Sequence, residues 1–514
     1  MSKAYLDYFK EIAEIPHGSG NTAQIRDYCV AFAKAHNLDY YTDELNNVVI
    51  RKPATQGFEA HDTVVLQGHL DMVCEKDPDI EFDFTKDALK LRTEGDFLMA
   101  TGTTLGGDDG IAVAMMLSIL ASDSVQHPPL ECVFTTDEET GMYGAAALDP
   151  KQVKGRKLIN IDSEDEGIFT VGCAGGASCE VILTAGEDDV CDLGNADNAC
   201  DTECFDKNST VPVEITVSGL IGGHSGVEIN KGRQNSNVVL FGLLSKMIDK
   251  GFKFSLCKMN GGSKDNVITN NTTCVVWFGK ESFGEDSALN DSCEISEVIS
   301  TLNDLAQGYV REVRVDTDPG LKIEVKDLSV DAMNNLSDEY SKVLSYDFTK
   351  TVVSMLCEYP NGIQKMSEDI DDLPQTSLNF AVVSLEEGTL ILRFSVRSSV
   401  TQEKLDLVSK LENISKKYGA SFASDGDYPA WEFRKDSRLR DTMVSVFEMM
   451  YGKPPKVEVI HAGLECGLLS EKLEGLDAVS IGPDLFDIHS PKERLSLLSA
   501  ERVYEFVLKV LKEL

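Results

Sequence analysis

Five short segments rich in acids and histidines, each set in or just after an apolar run, narrow the possible folds of this chain. They read QGHLDMV (67–73), LGGDDG (105–110), TTDEETG (135–141), INIDSE (159–164) and DIHSP (487–491). Between them they offer His69, Asp71, Asp108, Glu138, Glu139, Asp162 and His489. The apolar runs VVLQ, LECVF, KLINI and DAVSIG read as strands. Residues at the carboxyl ends of parallel strands point into one crevice. Two neutral imidazoles with several carboxylates form the ligand mix expected for zinc or a similar divalent ion. Five ligands for two ions, one carboxylate shared, leave positions open for water and substrate, which is a hydrolytic arrangement. A lone His-x-Asp or Glu-Glu pair is common on protein surfaces; a set of five segments at strand ends is not.

The pattern of elements supplies a frame for that crevice. Up to about residue 185 the chain alternates helix and strand: a helix near 22–36, strands at 46–51 and 63–68, an all-round apolar helix at 110–122, and strands near 130–136 and 158–162. This is an α/β pattern with a mostly parallel sheet. The acidic stretch 186–210 breaks the composition and reads as a mobile loop or linker. After it come a period-two strand at VPVEITVSG, helices at 235–249, 294–313 and 338–357, and strands at 252–259, 272–278, 321–327, 378–384 and 388–397. That middle part predicts an α+β domain with helices on one face of an antiparallel sheet. Helices at 401–418, 438–451 and 499–513 and strands at 456–460 and 477–481 return to the first pattern. Because His489 must meet His69, the α/β domain is expected to be discontinuous, 1–186 with 400–514, interrupted by an inserted domain at 187–399.

Composition excludes several classes. A chain of 514 residues exceeds one ordinary core, so two domains are expected. No apolar run approaches the roughly 18–20 residues that span a bilayer. The segment MSKAYLDYFKEIAEI reads as a charged amphipathic helix rather than a signal peptide, and a cytoplasmic protein is expected. A net charge of −38 argues against nucleic acid as a partner. The 13 cysteines are expected to be mostly reduced. Cys191, Cys200 and Cys204 cluster in the acidic stretch but offer no clear fourth ligand for a zinc site, and the segment reads as a mobile acidic loop.

Eight segments in order carry a resemblance. GHLDMVCEKD, TTLGGDDGIAVA, DEETGMYGA, INIDSEDEG, VGCAGG, GGHSGVEINKGRQNSN, HAGLECG and HSPKER, spread over residues 68–494, resemble the zinc-dependent exopeptidases of the aminoacylase/carboxypeptidase G class. VGCAGG and HAGLECG make the chain most similar to that class's aminoacyl-histidine (Xaa-His) dipeptidase subfamily. Asp109 stands where the family often has Asn, which adds a charge beside the metals without removing a ligand.

The resemblance implies two divalent ions, zinc by preference with manganese or cobalt also possible. His69 and Asp162 would hold one ion, Glu139 and His489 the other, and Asp108 would bridge both. Asp71 would accept the second imidazole N–H of His69 and fix its tautomer, and Glu138 would be the general base. It places His224, in GGHSG, on a dimer-forming lid that reaches the partner subunit's site in a homodimer. Arg397 would pair with the terminal carboxylate of a small peptide substrate, with Asn266 and His461 as further substrate contacts. The implied reaction is hydrolysis of dipeptides, Xaa-His and β-alanyl-histidine among them. A broader di- or tripeptidase and a cysteinylglycine dipeptidase are the alternatives within the family.

Two readings belong to other classes. Cys74, Cys173 or Cys466 could serve a thiol hydrolase, but the available histidines are already assigned to the metals. A non-catalytic binding relative would be expected to have lost ligands or the base, and this chain retains all of them.

Overall fold

The computed structural model describes residues 4–192, 210–279, 295–328 and 342–514. Cys200 and Cys204, with most of the acidic stretch 186–210, lie outside the described residues, and Cys191 is buried. The chain divides into two compact units, Met1–Cys173 with Pro429–Leu514, and Ala174–Tyr428.

The first unit is built on an eight-stranded sheet. Its order is Asp39–Thr42, Val48–Lys52, Leu130–Thr135, Val64–His69, Lys157–Asn160, Asp477–Ser480, Ile168–Cys173 and Lys456–Ile460. Val64–His69 runs parallel to both its neighbours, Asp477–Ser480 runs parallel to Lys157–Asn160, and Lys456–Ile460 runs parallel to Ile168–Cys173. The strands nearest the N-terminus pair antiparallel at one edge. Val64–His69 is buried at every position, as expected for a strand covered on both faces. Val65, Val133 and Leu158 share a core with Leu469 of the helix Glu465–Lys472 and with Leu473 just after it. The helix Gly107–Ala121 packs on Val64–His69 and is buried all round from Gly110 to Leu120, so its apolar surface has no polar stripe.

The second unit carries a nine-stranded antiparallel sheet. Eight strands follow the order Lys322–Asp327, Thr210–Ser218, Thr272–Gly279, Phe254–Gly261, Pro374–Glu386, Thr389–Ser398, Gly175–Thr184 and Ser421–Tyr428, and Gly362–Met366 pairs off Pro374–Glu386. Period two decides which face each residue takes. Cys274, Val276 and Phe278 join the main core with Leu240, Leu302, Val352 and Leu411 from four helices, whereas Val275 and Trp277 face a small cluster with Cys191 and Val343. Four helices thus share one apolar layer on one face of the sheet.

Two expectations need correction. The boundaries lie at 173/174 and 428/429 rather than 186/187 and 399/400. Gly175–Thr184 pairs along its whole length with Thr389–Ser398, and Leu407, Leu411 and Ile414 of the helix Thr401–Lys417 pack into the same core, so both belong to the middle unit. The helix expected at 338–357 begins later. Lys342–Leu344 is a short strand paired with Val190–Asp192, and Ser345 then caps the helix Tyr346–Glu358 by accepting from the Phe348 N–H.

Candidate active site

Three of the five acid- and histidine-bearing segments follow the ends of adjacent strands in the first unit. His69 ends its strand, Glu138 and Glu139 follow Leu130–Thr135, and Asp162 lies two residues beyond Lys157–Asn160. Asp108 enters from the first turn of the helix Gly107–Ala121. His489 sits on the turn of a hairpin whose strands, Leu485–Phe486 and Arg494–Ser496, pair with each other. Its φ is +57°, and that of Asp487 is +52°; left-handed backbone at residues other than glycine is a form of strain that clusters at functional sites.

The five side chains converge as two triads that share Asp108. The donor atoms of His69, Asp108 and Asp162 lie within 4.8 Å of one another, as do those of Asp108, Glu139 and His489. His69 Nε2 is 3.2 Å from Asp108 Oδ1 and 3.6 Å from Asp162 Oδ1. His489 Nε2 is 3.3 Å from Asp108 Oδ2 and 3.0 Å from Glu139 Oε2. One carboxylate therefore turns a different oxygen toward each histidine. Ligands bonded to a tetrahedral ion at about 2.0–2.1 Å are separated by roughly 3.3–3.4 Å. The observed edges fit that shape.

The electrostatics favour a cation. Burial pushes Glu138 up to about 9, opposed by His69 and reinforced by Asp162, Glu465 and Glu139. Burial likewise raises Asp162 to about 6 and Glu164 to about 7. His489 is raised to about 10 by its hydrogen bonds with Asp108 and Glu139. Burial alone would depress His69, yet Asp162, Asp108 and Asp71 hold it well above the ordinary imidazole value. Burial would raise Asp108, but the two imidazoles pull it below the usual carboxylate range. Carboxylates raised by burial and by one another, beside imidazoles raised by carboxylates, mark an excess of buried negative charge.

The surrounding residues fix these groups in place. The nearest partner of His69 Nδ1 is the Asp71 backbone carbonyl at 2.9 Å, with the Asp71 carboxylate farther away at 3.5 Å. That carboxylate instead accepts from Ser19 Oγ at 2.8 Å and from the N–H groups of Glu138 and Glu139 at 3.2 and 3.4 Å. Asp71 therefore ties down the glutamate turn as well as neighbouring the imidazole. Asp109 accepts from the His69 N–H at 3.1 Å, and burial, reinforced by Asp162, raises its pKa well above the ordinary carboxylate value. A Cβ on Gly68 would lie 2.3 Å from Asp109 Oδ2, which is why GHLD needs glycine there.

Beneath the candidate ligands runs a buried polar row that the sequence reading missed. Thr135 Oγ1 and Gln67 Nε2 each donate to Glu465 Oε2 at 2.6 Å, and Asn160 Nδ2 donates to Gln67 Oε1 at 2.7 Å. Ser480 donates to Asn160 Oδ1 and meets Ser163 Oγ at 2.7 Å. Gln67 and Asn160 stand two residues before His69 and Asp162, the offset that returns a strand side chain to the same face. That offset was the available signal.

The proposed thiol nucleophiles are poorly suited. Burial raises Cys74 and Cys173 to about 11 and Cys466 well above the usual thiol value. The sulfurs of Cys74 and Cys173 face backbone carbonyls of Met72 and Leu464. His461 is buried just after the edge strand Lys456–Ile460, in the loop that leads to Glu465.

His224, Asn266 and Arg397 lie in the second unit. Gly223–His224 pairs with Val267–Ile268, and the Asn266 carbonyl accepts from the Ser225 N–H, so His224 and Asn266 are neighbours. The N–H groups of Gly226 and Val227 donate to His224 Nδ1 at 3.0 and 3.3 Å, which places the ring proton on Nε2. Burial and then Arg397 lower the pKa of His224, so the ring is a neutral donor. Arg397 donates to Tyr428 Oη at 2.9 Å, and its Nε is buried without a hydrogen bond among the described residues.

Residues 65–513 match the model of peptidase family M20/M25/M40. The chain belongs to this family. It is 32% identical over 509 residues to the Escherichia coli cytosol non-specific dipeptidase, covering 99% of this chain and 97% of the relative. The crystal structure of aminoacylhistidine dipeptidase from Vibrio alginolyticus superposes with a TM-score of 0.87 at 30% identity, over 100% of this chain and 97% of the other. The aminopeptidase PepT structure from Bacillus cereus, at 14% identity and a TM-score of 0.53 over 99% of this chain and 98% of the other, shares the fold. As an M20 member the protein is a peptidase, and it presents a full set of candidate metal ligands.

The proton inventory has a measurable consequence. A histidine whose folded pKa is raised stabilises the fold fully below its unfolded value of 6.5, and that contribution is lost as pH rises through about 10. Glu138, raised from 4.5 to about 9, acts in the same direction. Metal loading requires neutral imidazoles and so competes with protons. The Tm of chelator-stripped protein is expected to fall between pH 6.5 and 9, and its gap from the metal-loaded protein to widen. A gap that stays constant or narrows would contradict the site as described.

Proposed function

We propose that the protein is a two-metal dipeptidase acting on dipeptides that include Xaa-His and β-alanyl-histidine. The observation that carries this reading is the split of the Asp108 carboxylate, with Oδ1 toward His69 and Oδ2 toward His489. Asp108 would bridge two ions, His69 and Asp162 completing one subsite and Glu139 and His489 the other. Zinc suits the donor set, and manganese and cobalt are compatible with it. Bound there, the ions supply Lewis acidity and lower the pKa of water.

The chain's own residues do the remaining work. Glu138 takes a proton from the attacking water and returns it to the leaving amine. Its position beside Glu139, with both N–H groups held by Asp71, keeps it next to a ligand. His224, as a neutral Nε2–H donor, polarises the scissile carbonyl of the partner copy's site, and the second unit serves as lid and homodimer contact. Arg397 binds the free carboxylate of the substrate, for which its unsatisfied buried Nε leaves donor capacity. Asn266 and His461 are further contacts. The name of the E. coli relative supports a wider dipeptide range, so a panel should include non-histidine dipeptides. That relative's cytosolic description, with no helix among the described residues long and apolar enough to cross a membrane, supports the cytoplasm as the site of action.

Glu138→Gln keeps shape and removes the base. Its rate on a dipeptide is expected to fall by about 10²–10⁴-fold with metal content unchanged, whereas Glu139→Gln should lose one ion. Activity within tenfold of wild type in Glu138→Gln would remove Glu138 from the role of base.

Action in trans is tested by mixing two inactive proteins, Glu138→Gln and His224→Ala. Each heterodimer contains one site with an intact glutamate and an intact partner histidine, so activity should return. No recovery despite demonstrated subunit exchange would place the action of His224 within its own chain.

A further inference from the structure

We propose that Glu493 is a positioning residue that clamps the Asp108 loop to the His489 hairpin, so that affinity at both metal subsites depends on it. The proposal rests on the two-ion reading above. Glu493 is 3% exposed. Its Oε2 accepts from the N–H groups of Leu105 at 2.7 Å and Gly106 at 3.1 Å. Its Oε1 accepts from Gly107 at 2.7 Å and Asp108 at 3.3 Å. Four consecutive backbone donors converge on one carboxylate, an anion-binding nest formed within the chain. Gly106, at φ +64°, turns the segment so that these donors face one point.

The other end of the clamp is equally defined. Glu493 lies four residues after His489 in the same hairpin turn, and its N–H donates to the Ser490 carbonyl at 3.0 Å. Ser490 Oγ in turn donates to the Asp487 carbonyl at 2.6 Å. The hairpin is anchored where Arg494–Ser496 pairs with Phe97–Ala100. Asp108 and His489, far apart in sequence, thus reach their 3.3 Å contact through one side chain that belongs to neither triad. Groups that orient metal ligands typically change affinity by about 10–100-fold when replaced.

The test uses full-length protein stripped with a chelator and titrated with zinc against a chromophoric competitor. In Glu493→Gln an amide NH₂ faces backbone donors, and both zinc-binding steps are expected to weaken by about 10–100-fold. Because Asp108 bridges, the two steps should weaken together, unlike Glu139→Gln, which should affect mainly one. Glu131 supplies a control for general destabilisation: it is also 3% exposed and accepts from the N–H groups of Lys154 and Gly155 at 2.8 and 2.9 Å. Glu131→Gln should lower Tm while leaving both zinc affinities at the wild-type value. Should Glu493→Gln prove insoluble, Glu493→Asp, which keeps the charge and shortens the reach, should weaken both steps by at least threefold. Zinc affinities within twofold of wild type in the soluble Glu493 variant, or a loss matched by Glu131→Gln, would overturn the clamp. A wild-type protein that bound fewer than two zinc ions would instead overturn the two-ion reading itself.

Discussion

Buried negative charge is the constraint around which the first unit is organised. Asp71, Asp108, Glu138, Glu139, Asp162, Glu465 and Glu493 crowd the carboxyl ends of a few strands, and His69 and His489 stand among them. An isolated buried carboxylate is strongly unfavourable unless it is protonated, hydrogen-bonded or matched by a cation. Away from the triads the first two remedies are visible: burial shifts Asp109 toward its protonated form, and Glu493 takes four backbone N–H bonds. Within the triads the matching charge is borrowed from protonated imidazoles, which hold Asp108 low while they themselves rise. Divalent cations would replace those protons.

The parallel sheet makes such crowding possible. Strands that run the same way deliver their last residues to one edge, and the row Thr135, Glu465, Gln67, Asn160 and Ser480 locks those ends side by side. The candidate ligands His69 and Asp162 stand two residues beyond Gln67 and Asn160 of that row. Precision at the site thus derives from hydrogen bonds between neighbouring strands, with Asp71 and Glu493 extending it to the two loops that enter from elsewhere.

Much of this was legible in the sequence because ligand chemistry leaves local signatures. A histidine at the end of VVLQ, paired glutamates after LECVF and an aspartate after KLINI each carry both their chemistry and their place on a strand. The domain boundaries were less legible. The acidic stretch at 186–210 is the visible break in composition, yet the strand before it, Gly175–Thr184, already belongs to the middle sheet. Leu407, Leu411 and Ile414 mark an apolar helix face without saying which sheet it covers. The short strand Lys342–Leu344 was absorbed into a helical period that fits its neighbours. Glu465 and Glu493 were hidden for a different reason. Their partners are side chains and backbone N–H groups hundreds of residues away, and no local pattern records such partners.

The central claim is that Asp108 joins two metal subsites. Diffraction from crystals of zinc-loaded protein, measured at the zinc absorption edge, tests it directly. Two anomalous peaks about 3.5–4 Å apart are expected, one against His69 and Asp162, the other against Glu139 and His489, each touching a different oxygen of Asp108. A single peak, or two peaks of which one makes no contact with Asp108, would contradict the account.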